Sequence, residues 1–200
     1  MMSPSDLECA LSCGADAVGF VVEVDGSRHS ISVEDARELI AQVPVFAKSV
    51  AVIAPTDVDE AVDIARRTGA DLLQIHGSFC AEDLIALKDK ASRKIIAAVP
   101  AGSDEAYSLG PAADAVLIDT FKDGRLGGTG LAHDWNLSAA AVRSIRTPII
   151  LAGGLNTSNV AEAISMVRPY AVDVSSGVET DGRKDPKKAG AFVRAVRMCP

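Results

Sequence analysis

A parallel α/β barrel is the fold class the sequence predicts, and three observations carry it. Short apolar runs alternate with amphipathic segments from one end of the chain to the other. The runs are rich in Val, Ile and Ala without polar alternation, which is how strands buried on both faces read. A short connection also recurs ahead of the strands, as Gly14-Ala15-Asp16, Gly69-Ala70-Asp71 and Ala112-Ala113-Asp114. Alternation of this kind gives a parallel sheet with crossover helices. The repeated connection favours a barrel of similar units over an open array. No Pro/Gly/Ser linker divides the sequence, so residues 1–200 are expected to form one domain. At 200 residues, 48% of them hydrophobic, the chain can bury one sizeable core.

The first element is a helix. Ser3 is its N-cap, Pro4 its first residue and Asp6 stands at the capping-box position. Leu7, Ala10 and Leu11 form its apolar stripe, and Gly14 ends it. Seven strand-like runs follow, at 17–22, 49–53, 72–75, 95–99, 115–118, 148–151 and 171–174. Between them lie helical stretches at 33–42, 58–68, 82–90, 104–109, 138–144 and 158–167. Ser32 precedes the first of these, and Asp57 and Gly69 bracket the second. The last helix, 186–197, has Asp185 as N-cap and Pro186 at its first position. The tally is seven parallel strands and eight helices. A closed barrel needs a strand ahead of the first helix, where only two methionines precede Ser3. The expected architecture is therefore a (β/α)8 TIM barrel lacking the first strand, with exposed edges on the strands beside the gap.

Charge and composition exclude some function classes. The net charge is −7 and the pI about 4.9, with no run of Lys or Arg. That argues against nucleic acid or an anionic membrane as partner. No apolar run approaches the roughly 18 residues of a membrane span. The start, Met1-Met2-Ser3-Pro4, lacks the basic and apolar regions of a signal peptide, so a cytoplasmic protein is expected. Cys9, Cys13, Cys80 and Cys199 have no His or Cys partners at ligand spacing and read as reduced thiols, with no metal.

In such a barrel chemistry sits at the C-terminal strand ends. Glycines cluster there after three neighbouring runs: Gly127-Gly128-Thr129-Gly130, Gly153-Gly154, and Gly177 following Ser175-Ser176. Missing side chains let backbone N–H groups approach an anion, so the clusters point to a phosphate. Each pair alone is more commonly a turn, and it is the three clusters at neighbouring strand ends that favour the phosphate. Asp119, after Val116-Leu117-Ile118, would stand at the barrel mouth as an acid or base, or simply cap a helix. His76 ends the run Gln74-Ile75-His76-Gly77 and suits either catalysis or a structural hydrogen bond. Arg28, in the loop Asp25-Gly26-Ser27-Arg28-His29-Ser30, could clamp a carboxylate or stay solvated. Asp134 reads as a helix cap and Trp135 as packing.

Several segments together resemble the phosphoribosylanthranilate isomerase family. They are GADAVGFVV (14–22), the Ser27-Arg28 loop, LQIHG (73–77), IDT with GGTG and DW, ILAGGL with NV (150–160), and VDVSSGVE with GRKD (172–185). The match runs in order over nearly the whole chain, and its last two segments are the most specific. The resemblance implies an Amadori rearrangement of N-(5-phosphoribosyl)anthranilate to 1-(2-carboxyphenylamino)-1-deoxyribulose 5-phosphate, without metal or cofactor. By motif position Asp119 resembles the general acid, and Arg28 the residue that holds the anthranilate carboxylate. The segments at Gly128–Gly130, Gly153-Gly154 and Ser175-Ser176 resemble the phosphate cradle, and Asp173 would face the sugar. The family's base is a Cys in a K-I-C-G segment ending the first strand. That segment is absent, and Cys9 and Cys13 lie within a helix, so no base is assigned. Little isomerase activity is expected of the chain as it stands. The rival readings are another sugar-phosphate barrel enzyme and a non-catalytic phosphate-binding barrel. No Lys at a strand's C-terminal end weighs against an indole-glycerol-phosphate synthase. The expected partner is a small sugar phosphate, with the protein a monomer or homodimer.

Overall fold

The structure, a computed structural model, describes residues 1–120 and 133–199. Eight α-helices alternate with strands: α1 (Pro4–Ser12), α2 (Val33–Ile40), α3 (Val58–Thr68), α4 (Ala81–Ala91), α5 (Glu105–Leu109), α6 (Trp135–Ser144), α7 (Val160–Val167) and α8 (Pro186–Arg197). The principal strands are β1 (Ala17–Val22), β3 (Lys48–Ile53), β4 (Leu72–Ile75), β5 (Lys94–Pro100), β6 (Ala115–Asp119), β7 (Ile149–Leu151) and β8 (Ala171–Val172). All seven anticipated strands are present. The last is shorter than expected, because the chain leaves the ladder after Asp173 and turns into a 3-10 segment at Ser176–Val178.

Three small strands were not anticipated. β2 (Ser30–Ile31) pairs in parallel with the end of β1, through Val21↔Ser30 and Val22↔Ile31. β9 (Glu179–Thr180) and β10 (Arg183–Lys184) form an antiparallel hairpin turned by Asp181 and Gly182, both at positive φ. The main sheet runs β2-β1-β3-β4-β5-β6-β7-β8, parallel throughout. Among the described residues no ladder joins β8 to β1 or β2, so the curled sheet is open along one seam.

Local chemistry sets the element ends. Ser3 Oγ accepts from Asp6 N–H at 3.2 Å, and Pro4 follows at the first helical position. Ser32 accepts from Asp35 N–H, Asp57 from Glu60 N–H, and Asp185 from the N–H groups of Lys187 and Lys188. Asp6 does more than cap, since its carboxylate also accepts from the backbone N–H of Lys184 and so ties α1 to the hairpin. Two of the recurring Asp residues, those ahead of β4 and β6, have a purpose the sequence did not show. Asp71 accepts from the N–H and hydroxyl of Ser49, and Asp114 from Ile95 N–H. Each carboxylate thus satisfies a backbone donor at the second residue of the preceding strand.

Period-two alternation splits the strand side chains between two layers. Phe20, Ile53, Leu73, Ile95 and Val116 pack outward against the helices. Val50, Ile96, Ala98, Leu117 and Ala152 form a smaller inner cluster. Asp119 shares the parity of Leu117, so it continues the inner face to the sheet's C-terminal edge.

Candidate active site

Sheet register brings two carboxylates together. Ile118 is opposite Leu151, and Leu151 opposite Val172. One residue further on, Asp119, Ala152 and Asp173 form a row, held by Ala152 N–H to Ile118 O and Asp173 N–H to Leu151 O. Two strand spacings separate the acids by about 10 Å of backbone, with the small Ala152 between them. Both share the inner face.

Asp119 is half-buried. Its Oδ1 accepts from Thr120 N–H at 2.6 Å. Burial pushes its carboxyl up to about 6, against the Thr120 hydrogen bond, and the charge of Asp173 adds to the rise. A carboxylic acid so raised retains a protonated fraction toward neutrality, and that form can deliver its proton. Asp173 borders the seam, where solvent reaches it, but the protein around it raises its carboxyl while Lys184 opposes the rise.

Behind Asp119 stands a brace that sequence reasoning did not find. Thr120 Oγ1 lies 3.0 Å from His133 Nδ1, and His133 Nε2 lies 2.6 Å from Ser138 Oγ on α6. Desolvation lowers the His133 pKa, against the pull of Asp134. A neutral ring with its hydrogen on Nε2 satisfies both contacts. Asp134 caps α6 as expected, accepting from Asn136 N–H.

Gly153 is required by the same acid. A Cβ there would sit 2.3 Å from Thr120 Oγ1 and 2.9 Å from Asp119 Oδ1, and its φ is +83°. Gly154 is also at positive φ, and its carbonyl accepts from the side chains of Asn156 and Asn159. The turn after β7 is thus pinned by two side-chain amides. Ser175 and Ser176 open the 3-10 segment beside it. Gly128 and Gly130 lie outside the described residues.

His76 is buried, with Gln74 Nε2 2.8 Å from its Nε2. Desolvation holds the ring near a pKa of about 4, so it is neutral at physiological pH. The structural reading of His76 therefore has a concrete partner.

The loop after β1 carries Arg28 to Glu179. Arg28 Nη2 is 3.2 Å from Glu179 Oε2, and His29 Nε2 and Lys184 Nζ reach the same carboxylate at 3.2 and 2.8 Å. Burial pushes Glu179 up, but Lys184 and His29 outweigh it and hold the carboxyl low. Desolvation lowers His29 in spite of Glu179, so its ring is a neutral donor. Glu179 and Lys184 lay within quoted motifs without being singled out as site residues.

None of the four cysteines ends a sheet strand. Cys9 lies in α1, Cys13 follows it, Cys80 caps α4 and Cys199 follows α8. Among the described residues no cluster of His, Cys, Asp and Glu could hold a metal ion. No helix among them is long and apolar enough to cross a membrane.

A parallel sheet of β-α units whose inner face ends in a protonatable acid beside a glycine turn defines a (β/α)-barrel enzyme. A family model described as N-(5'-phosphoribosyl)anthranilate (PRA) isomerase matches residues 1–195. The N-(5'-phosphoribosyl)anthranilate isomerase of Methanothrix thermoacetophila is 53% identical over 199 residues, covering 100% of this chain and 96% of that one. The crystal structure of the Thermotoga maritima phosphoribosyl anthranilate isomerase has a TM-score of 0.85 at 31% identity, covering 98% of this chain and 95% of that one. Another phosphoribosyl anthranilate isomerase, solved in complex with reduced 1-(o-carboxyphenylamino)-1-deoxyribulose 5-phosphate, has a TM-score of 0.80 at 32% identity with the same coverage. The chain belongs to the N-(5'-phosphoribosyl)anthranilate isomerase family.

Proposed function

We propose that the chain acts on N-(5-phosphoribosyl)anthranilate in tryptophan biosynthesis, converting it to 1-(2-carboxyphenylamino)-1-deoxyribulose 5-phosphate. The observation that carries this reading is Asp119, an inward acid raised to about 6 at the mouth of a family barrel. Asp119 gives its proton to the furanose ring oxygen, which opens the ring to a Schiff base. Loss of the C2′ proton gives an enolamine, which relaxes to the ketone. The rearrangement is redox-neutral and needs only proton transfers. No residue of this sequence is assigned as the base for the C2′ proton.

The ends of the substrate fit the two rims. Arg28 offers a planar two-pronged donor to the anthranilate carboxylate. The backbone of Gly153-Gly154 and of Ser175-Ser176, with the segment at Gly128–Gly130, takes the phosphate. Asp173 faces the sugar between them. We assign residues 1–200 to one domain working in the cytoplasm, as a monomer or homodimer.

The test is Asp119→Asn in a chain extended upstream by a segment ending in Cys-Gly, which supplies a thiol base; the Asn keeps the shape but cannot deliver the proton. It should cost about 10²–10⁴-fold in kcat, with affinity for the reduced product analogue little changed. A variant with full kcat while chemistry limits the rate would pass the acid role to another residue.

A further inference from the structure

We propose that Glu179 is the positioning residue of the carboxylate clamp, holding the Arg28 guanidinium by one edge so that its other edge faces the ligand. This rests on the reading of Arg28 given above. Arg28 and Glu179 are 151 positions apart in sequence, and they meet where the loop after β1 crosses to the hairpin after β8. The Glu179 side chain is 5% exposed, whereas that of Arg28 is 64% exposed. The anchor is therefore buried and the clamp open to solvent.

Charge accounting keeps Arg28 available. Lys184 Nζ sits 2.8 Å from Glu179 Oε1, is 10% exposed, and by itself neutralises the carboxylate. Arg28 approaches the other oxygen, Oε2, through Nη2. His29 binds the same carboxylate as a neutral donor. The Arg28 charge is thus left for an incoming anion. A guanidinium has five donors in a rigid fork, so one anchored nitrogen still leaves an edge for a carboxylate. A long exposed side chain fixed in advance loses less freedom when the ligand arrives. Lys184 also donates to the Ser175 carbonyl at 3.1 Å, which ties the anchor to the turn beside the phosphate.

Glu179→Gln separates the two arms of this network. The amide oxygen can still accept from Lys184, which preserves the Ser175 side. The NH2 group facing Arg28 and His29 cannot accept from them. Two probes read the effect by calorimetric titration: reduced 1-(o-carboxyphenylamino)-1-deoxyribulose 5-phosphate, and the same reduced compound lacking the ring carboxylate. Glu179→Gln should weaken the carboxylated probe about tenfold or more and move the other by less than about twofold, as expected for one lost charge-assisted contact. Equal weakening of both probes would make Glu179 a general structural residue and overturn the proposal. Unchanged or tighter binding of the carboxylated probe would overturn it too, the latter by showing that Glu179 competes for Arg28. Arg28→Ala should abolish the preference for the carboxylated probe. If it does not, the clamp reading falls, and the role of Glu179 falls with it. Should Glu179→Gln fail to fold, Glu179→Asp, one methylene shorter, must show the same selective loss or the proposal is wrong.

Discussion

At Asp119, chemistry and folding pull in opposite directions. Its carboxyl titrates at about 6 in the folded chain, against an ordinary value of 3.8. A group raised on folding favours the folded state only while protonated. The penalty for its charge therefore builds as pH rises through the window from about 3.8 to about 6. Asp119→Asn should be more stable than the parent at pH 8, by an amount on the order of 1–3 kcal/mol, and should lose that advantage near pH 3. Denaturant unfolding of both chains at the two pH values checks this. An equal difference at both would mean that the Asp119 titration is not linked to folding. The residue itself was legible, because a polar residue ending an apolar run at a strand's C-terminal end stands out. Its supports were not. Thr120, His133 and Ser138 meet through a connection whose path the sequence does not reveal. Glu179 finds Arg28 only after the whole sheet has folded.

Among the elements, capping was the most readable feature. Ser3, Ser32, Asp57, Asp134 and Asp185 all accept from the first turns of their helices. These signals are local, so the sequence carries them whole. The hairpin β9–β10 had a local signal as well, the Asp181-Gly182 pair, but its strands have only two residues each and no apolar alternation. β2 had no signal: it is an edge pairing of Ser30 and Ile31, set by where the loop after β1 lands. The hairpin matters because its two strands present Glu179 and Lys184. Gly182 has φ +76° with open space where a Cβ would go, so Ala would meet strain rather than a clash. Gly182→Ala should cost about 1–2 kcal/mol, read as a lower thermal midpoint. An unchanged midpoint would show that the hairpin relaxes into another turn.

For the whole molecule, alternation alone was enough to give a parallel sheet wrapped by helices. The tally of seven strands against eight helices also predicted the open seam, because one helix is left without a strand ahead of it. Among the described residues β8 has no ladder partner on its outer side, while β1 pairs there with β2 and its Gly19 carbonyl accepts from the Met1 amino group. The acid and the turns beside it nevertheless keep their places, because each is held by its immediate neighbours: Asp119 against Gly153, and Gly154 by Asn156 and Asn159. One sugar phosphate is expected to span this mouth from Arg28 to Gly154. A crystal structure of the chain with reduced 1-(o-carboxyphenylamino)-1-deoxyribulose 5-phosphate tests it most directly. The phosphate should lie on the backbone of Gly153-Gly154 and Ser175-Ser176, and the ring carboxylate on Arg28. The hydroxyl derived from the ring oxygen should lie within about 3 Å of an Asp119 oxygen. A phosphate bound elsewhere, or an Asp119 out of reach of that hydroxyl, would contradict it.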